Sequence, residues 1–110
     1  MISSPQSPLA VDEFIDCLRA RWNATYDVRL VVRGDRLYLQ IMWAYLEQQS
    51  FPLDEDEYRK NLNNLLEIIN RLGLSNYVRE WIRSTPKKPR IGKAPTLYLK
   101  ADQRLKEFLL

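Results

Sequence analysis

Tyr26–Trp43, YDVRLVVRGDRLYLQIMW, reads as a β-hairpin, and the rest of the architecture is built around it. Two runs of period-2 alternation flank Gly34-Asp35, and a two-residue loop that begins with glycine suits a type II′ turn. Closing that loop pairs Arg33 with Arg36, Val32 with Leu37, Leu30 with Leu39, Val28 with Ile41 and Tyr26 with Trp43. Every second pair is then apolar, and these pairs share one face. The other face carries Val31–Tyr38, Arg29–Gln40 and Asp27–Met42. Slipping the register by one residue would set apolar side chains against charged ones, so the pairing is strongly specified. The apolar face reads as sheet core. The mixed face is open to cover by another element or to a ligand.

Working outward, Leu9 to Trp22 predicts a helix, with Val11, Phe14, Ile15, Leu18 and Trp22 on one stripe. Asp12 and Glu13 suit its first turn, and Arg19 and Arg21 its last. After the hairpin, Trp43–Phe51 (WAYLEQQSF) either extends the second strand or makes a short helical turn. A second helix begins at Asp54, where Glu57 three residues later completes a capping box. Its stripe is Tyr58, Leu62, Leu65, Leu66, Ile69 and Leu72, and Gly73 caps its end. A third helix opens at Ser75 and stops before Pro86. Thr96–Lys100 alternates as a third strand, and Arg104–Leu110 reads as a short helix or an apolar tail. The order α-β-β-α-α-β implies an α+β class: a hairpin plus a third strand in a small antiparallel or mixed sheet, packed against about three helices. Residues 1–8, polar with two prolines, are expected to be a disordered tail, and residues 9–110 a single domain.

A chain of 110 residues can build one core without a metal or a disulfide. The lone Cys17 permits no internal disulfide and reads as a structural thiol on the first helix. The absence of histidine is more decisive, since it removes histidine-based triads, histidine general bases and histidine-ligated metal sites. Asp54-Glu55-Asp56-Glu57 resembles a metal site only superficially. Consecutive helical residues point in different directions, and carboxylates at a helix start oppose the positive end of its dipole. Gly34, Gly73 and Gly92 stand alone, so there is no phosphate-cradling loop. No cofactor and no metal is expected. Met1–Ala10 has neither the basic start nor the apolar segment of a secretion signal, and no apolar run approaches the about 18 residues of a membrane span. The expected compartment is the cytoplasm, and no transmembrane segment is expected.

The net charge of +3 is mild. Its distribution is more telling, because Arg83, Lys87, Lys88, Arg90 and Lys93 fall in a stretch with no negative residue. Pro86 and Pro89 stiffen that stretch, so the charges are expected to stand out from the body in an extended form. The readings are a solvated loop or an anion-seeking surface. The segment itself lacks the interleaved aromatics of a single-strand binder and any recognition-helix signature. Aromatics and methionine are dense in Tyr38–Leu46, and any that lie exposed would favour a protein partner.

LRARWNATYDVRL, RLYLQIMWAYLEQQSFPLDEDEY and PRIGKA together resemble a cyanobacterial and chloroplast family of unknown function. The matching positions are Arg21-Trp22, Tyr26-Asp27-Val28, Leu39 through Leu53, and Pro89, Arg90, Gly92, Lys93 and Ala94. The resemblance covers roughly residues 9–100 and brings no activity, cofactor or catalytic residue with it. It implies a source among oxygenic phototrophs and a role connected with photosynthesis, and the absence of a transit peptide fits a cyanobacterial chain. Glu47 to Phe51 is polar, hard to explain as core, and belongs to the most distinctive block. A structural role at the entry to the second helix and a binding role both fit it. The candidate interaction residues are therefore Tyr45, Glu47, Gln48 and Gln49, beside Lys87, Lys88, Arg90 and Lys93. The function expected is a non-enzymatic protein-binding or assembly factor. The alternative is nucleic-acid binding through residues 83–93. An enzyme using Glu47, Asp27 or Cys17 ranks last.

Overall fold

The computed structural model describes residues 7–99. Among them the order is α1 (Val11–Trp22), β1 (Tyr26–Arg33), β2 (Arg36–Tyr45), α2 (Glu55–Arg71), α3 (Ser75–Ser84) and β3 (Thr96–Tyr98). The strands form one antiparallel sheet in the order β1-β2-β3. This is the α+β order that the sequence predicts. Most of the expected tail and the segment from Lys100 onward, with its expected short helix or apolar tail, lie outside the described residues.

The hairpin pairs as expected from Arg33–Arg36 through Val28–Ile41. Gly34 has φ +64° while Asp35 does not enter the positive region, as a type II′ turn requires. Leu37, Leu39 and Ile41 are buried against the helices, together with Leu97 of β3. Tyr38, Gln40, Met42 and Tyr98 occupy the opposite face and are half-buried or exposed. There the Tyr38 and Tyr98 rings lie 5.5 Å apart and Arg36 sits over Tyr98.

The expected pair of Tyr26 with Trp43 does not form. Tyr26 stands opposite Tyr45, so between that pair and Val28–Ile41 the strand β1 has Asp27 alone while β2 has Met42, Trp43 and Ala44. The bulge re-aims its side chains. Tyr45 takes the place beside Tyr26, and Trp43 turns outward, 36% exposed. Val32, expected on the buried face, is also exposed at the hairpin tip. The strand ends at Tyr45, and residues 46–50 turn rather than extending it.

The helix ends follow local rules. Asp54 accepts from the Glu57 N–H at 2.8 Å and the Glu57 side chain accepts from the Asp54 N–H at 3.2 Å, a complete capping box. At the far end, Gly73 has φ +73°. The Leu74 N–H reaches the Ile69 carbonyl and the Gly73 N–H the Asn70 carbonyl, both at 3.1 Å, which is a Schellman closure. The α2–α3 connection is thereby held tight.

Polar clasps then fix the helices to one another. The Asn70 amide on α2 accepts from the Leu9 N–H at 2.8 Å and donates to the Leu9 carbonyl at 3.2 Å. Arg79 on α3 donates to both Glu13 oxygens on α1, at 2.5 and 3.0 Å, and reaches the Ser7 and Pro8 carbonyls. Arg21 donates to the Ile82 and Thr85 carbonyls and closes the end of α3. Tyr58 is buried and donates to the Tyr26 carbonyl at 2.7 Å, and burial raises its hydroxyl pKa well above the ordinary value. Among the described residues no helix is long and apolar enough to cross a membrane.

Candidate functional site: a cationic groove beside the sheet

After α3 the chain crosses to the sheet through Thr85–Pro95. Lys93 N–H donates to the Arg90 carbonyl at 2.7 Å and Arg90 N–H to the Lys93 carbonyl at 3.1 Å, so residues 90–93 form a tight turn. Gly92, with φ +79°, occupies the position that needs a left-handed backbone. The Ile41 N–H then donates to the Pro95 carbonyl at 3.0 Å and docks the loop on β2. The basic loop does not stand out from the body as the proline content implies, because its return into β3 folds it back along the sheet.

Between loop and sheet lies an open groove of about 660 Å³. Its cations are Lys87, Lys88, Arg90 and Lys93 from the loop and Arg33 from β1, with no carboxylate among the described residues that line it. None of these five forms an ion pair with a described residue. Gln40, Met42 and Trp43 supply the sheet side of the groove. Like charges converging without counterions raise the local potential and attract an anion. Arg83, grouped with the basic run on sequence grounds, is not part of this site. It lies 3.8 Å from Glu13 and belongs to the α1–α3 clasp.

The candidate residues of the 45–49 segment divide three ways. Tyr45 and Gln48 meet Arg90 across a second, smaller groove, so the two segments do come together there. Lys93 faces the first groove instead. Gln49 is exposed and lines neither groove. Glu47 is itself exposed but is committed to Thr25: its two oxygens accept from the Thr25 N–H at 2.8 Å and the Thr25 hydroxyl at 2.6 Å, with Arg19 at 3.6 Å. Thr25 is fully buried, so this carboxylate satisfies polar groups that water cannot reach. Burial pushes the Glu47 carboxyl up, but the Thr25 hydrogen bonds and Arg19 outweigh it and hold the pKa below its ordinary value.

Of the other residues an enzyme reading needs, Asp27 pairs with Arg29 at 3.2 Å and accepts from the Val28 N–H. Cys17 packs against the core. Neither lines the groove. Among the described residues no group of three or more Cys, Asp or Glu is placed to hold a metal ion. What sequence reasoning missed is Trp43, whose alternation reads as core and whose exposure comes from the bulge. Arg33 was missed as well, since its basic partners lie more than fifty positions further along the chain.

The fold and groove define a small α+β domain with a cationic surface and an exposed tryptophan beside it. The chain belongs to the family described as Domain of unknown function (DUF3067), whose model matches residues 12–109. Its fold is similar to the solution NMR structure of the Alr2454 protein from Nostoc sp. strain PCC 7120. The TM-score is 0.82 and the identity 33%, over 93% of this chain and 98% of that one. The comparison with curated proteins gave no match.

Proposed function

We propose that the protein is a non-enzymatic binding or assembly factor of an oxygenic phototroph, holding an acidic segment of a protein partner in the groove under the basic loop. The observation that carries this reading is the convergence of Arg33, Lys87, Lys88, Arg90 and Lys93 on one groove with no carboxylate among the described residues that line it. Beside the cations the described lining offers the Gln40 amide and the apolar side chains of Met42 and Trp43. The similarity to a cyanobacterial protein supports the phototroph setting. A role connected with photosynthesis, in the cytoplasm, is part of the same proposal.

The test is capture from a cyanobacterial lysate with the tagged chain and with a Lys87→Glu, Lys88→Glu, Arg90→Glu triple variant, each with and without nuclease. Capture of an acidic protein that survives nuclease and disappears with the triple variant supports the reading. Equal capture by both chains removes the groove as the interface.

One observation favours a nucleic-acid reading as the alternative. Trp43 presents an exposed ring in the same groove, where a base could stack. That reading predicts nuclease-sensitive capture and affinity that falls steeply with salt, because each phosphate contact releases a counterion.

A further inference from the structure

The cationic groove does not end at the basic loop. Trp43 and Arg90 line it and also line the second groove, of about 560 Å³. Tyr45, Phe51, Pro52 and Ile91 stand among its walls, and Gln48 and Ser50 add uncharged polar groups. One surface therefore changes character at the Trp43–Arg90 boundary, from cations with no ion-pair partner among the described residues on one side to aromatic and aliphatic side chains beside uncharged polar ones on the other. Ile91 stands at the apex of the 90–93 turn and is 87% exposed. A lone exposed isoleucine needs no explanation, but this one lines the same groove as Trp43, Tyr45 and Phe51 and so adds to an apolar surface already present. Pro52 and Pro89 restrict the backbone on either side, and the paired hydrogen bonds of the turn hold Ile91 and Arg90 in a set relation.

We propose that this continuous surface takes an extended polypeptide segment of a partner protein in which a run of acidic residues adjoins an apolar anchor side chain. The inference rests on the reading of the cationic groove as a binding site and adds the second half of the partner's chemistry. Charge complementarity assigns the acidic run to Lys87, Lys88 and Lys93, and the apolar anchor falls among Ile91, Tyr45 and Phe51. A nucleic-acid strand carries the same charge at every step. It would match the first half and meet Arg90 as the one cation among the described residues that line the second. A polypeptide can change from charged to apolar within two or three residues, as this surface does.

The test uses the full chain and fluorescence anisotropy with defined probes. A peptide of about twelve residues reaches roughly 40 Å when extended, close to the 43 Å of the molecule's longest extent. The first probe joins a block of glutamates to a block containing leucine and phenylalanine, made in both orders. The second replaces the apolar block with serine, and the third is an oligodeoxythymidylate. Ile91→Ser is the apolar variant, chosen because so exposed a side chain contributes little to folding. Lys87→Glu with Lys88→Glu is the charge variant.

The expected result is that one order of the first peptide binds about tenfold tighter than the serine peptide, the gain from one well-seated anchor. Ile91→Ser abolishes that difference and leaves the serine peptide unchanged, and the charge variant weakens both peptides. Equal binding of the two peptides, with Ile91→Ser neutral, overturns the extension while leaving the cationic groove standing. No binding of any probe overturns the cationic groove as well. Tighter binding of the oligonucleotide than of either peptide, again indifferent to Ile91, assigns the surface to nucleic acid.

Discussion

Tyr26 faces Tyr45 across the hairpin, with ring centroids 5.7 Å apart and planes inclined at 76°. Two residues of β2 beyond the regular alternation make that pairing, and they are also what expels Trp43 from the core. The bulge thus joins the packing of the hairpin base to the groove, since the residue displaced from one becomes the wall of the other.

This relationship predicts unequal costs along one strand. Ile41→Ala removes a fully buried side chain and is expected to destabilise by about 2–5 kcal/mol. Trp43→Ala is expected to stay within about 1 kcal/mol, as for a surface substitution that leaves no buried cavity. Urea denaturation of the two variants checks this. Comparable losses would restore Trp43 to the core and remove it from the groove.

How much was legible in the sequence follows from the range over which each feature is determined. The II′ turn, the capping box at Asp54 and Glu57, and the Gly73 closure depend on residues within six positions of one another. They read correctly for that reason. The register holds for as long as alternation alone decides it, from Arg33–Arg36 to Val28–Ile41, and fails where the edge-to-face fit of Tyr26 and Tyr45 overrides alternation. Glu47 reads as a surface candidate because nothing near it in sequence needs a carboxylate. The group that needs it is Thr25, twenty-two positions away and buried. Arg83 has the composition of the basic loop but the position of a helix residue facing Glu13. The groove itself joins β1, β2 and the 87–95 loop, and no local pattern announces such a meeting.

Glu47→Ala is expected to cost about 2–4 kcal/mol, because it leaves the buried Thr25 N–H without its acceptor and removes the carboxylate that pairs with the Thr25 hydroxyl. Glu47→Gln, which keeps one acceptor oxygen, should recover part of that loss. Neither change should alter binding of the acidic peptides at the groove. Anisotropy run beside thermal unfolding separates the two effects, and a binding loss in a variant that remains folded would return Glu47 to the site.

Gly92→Ala meets no neighbouring atom, so its effect is one of backbone conformation. At φ +79° an alanine is strained by roughly 1–2 kcal/mol, and a surface turn can relieve that strain by opening. The expected outcome is near-normal global stability with weaker binding of the acidic probes, because Arg90 and Lys93 lose their common mounting. Unchanged binding would show that the turn does not organise the cations.

The Glu13–Arg79 pair predicts the acid limb of the stability curve. Arg79 is nearly buried, and its hydrogen bonds hold the Glu13 carboxyl below the ordinary value of 4.5, against the opposing effect of burial, with Arg83 adding a smaller push in the same direction. The folded state therefore binds this proton less readily than the unfolded chain does. The stabilisation is present in full above pH 4.5 and is lost as pH falls through the lower, folded-state value. Glu13→Gln removes the titrating group, so its urea midpoint should fall less steeply than that of the parent chain across that acid window. At neutral pH the variant should be less stable by about 1–3 kcal/mol, the cost of replacing a hydrogen bond to a charged partner. Parallel midpoints for the two chains at every pH would show that Glu13 carries none of the acid sensitivity. The α1–α3 clasp would then rest on Arg21 and its two carbonyl acceptors.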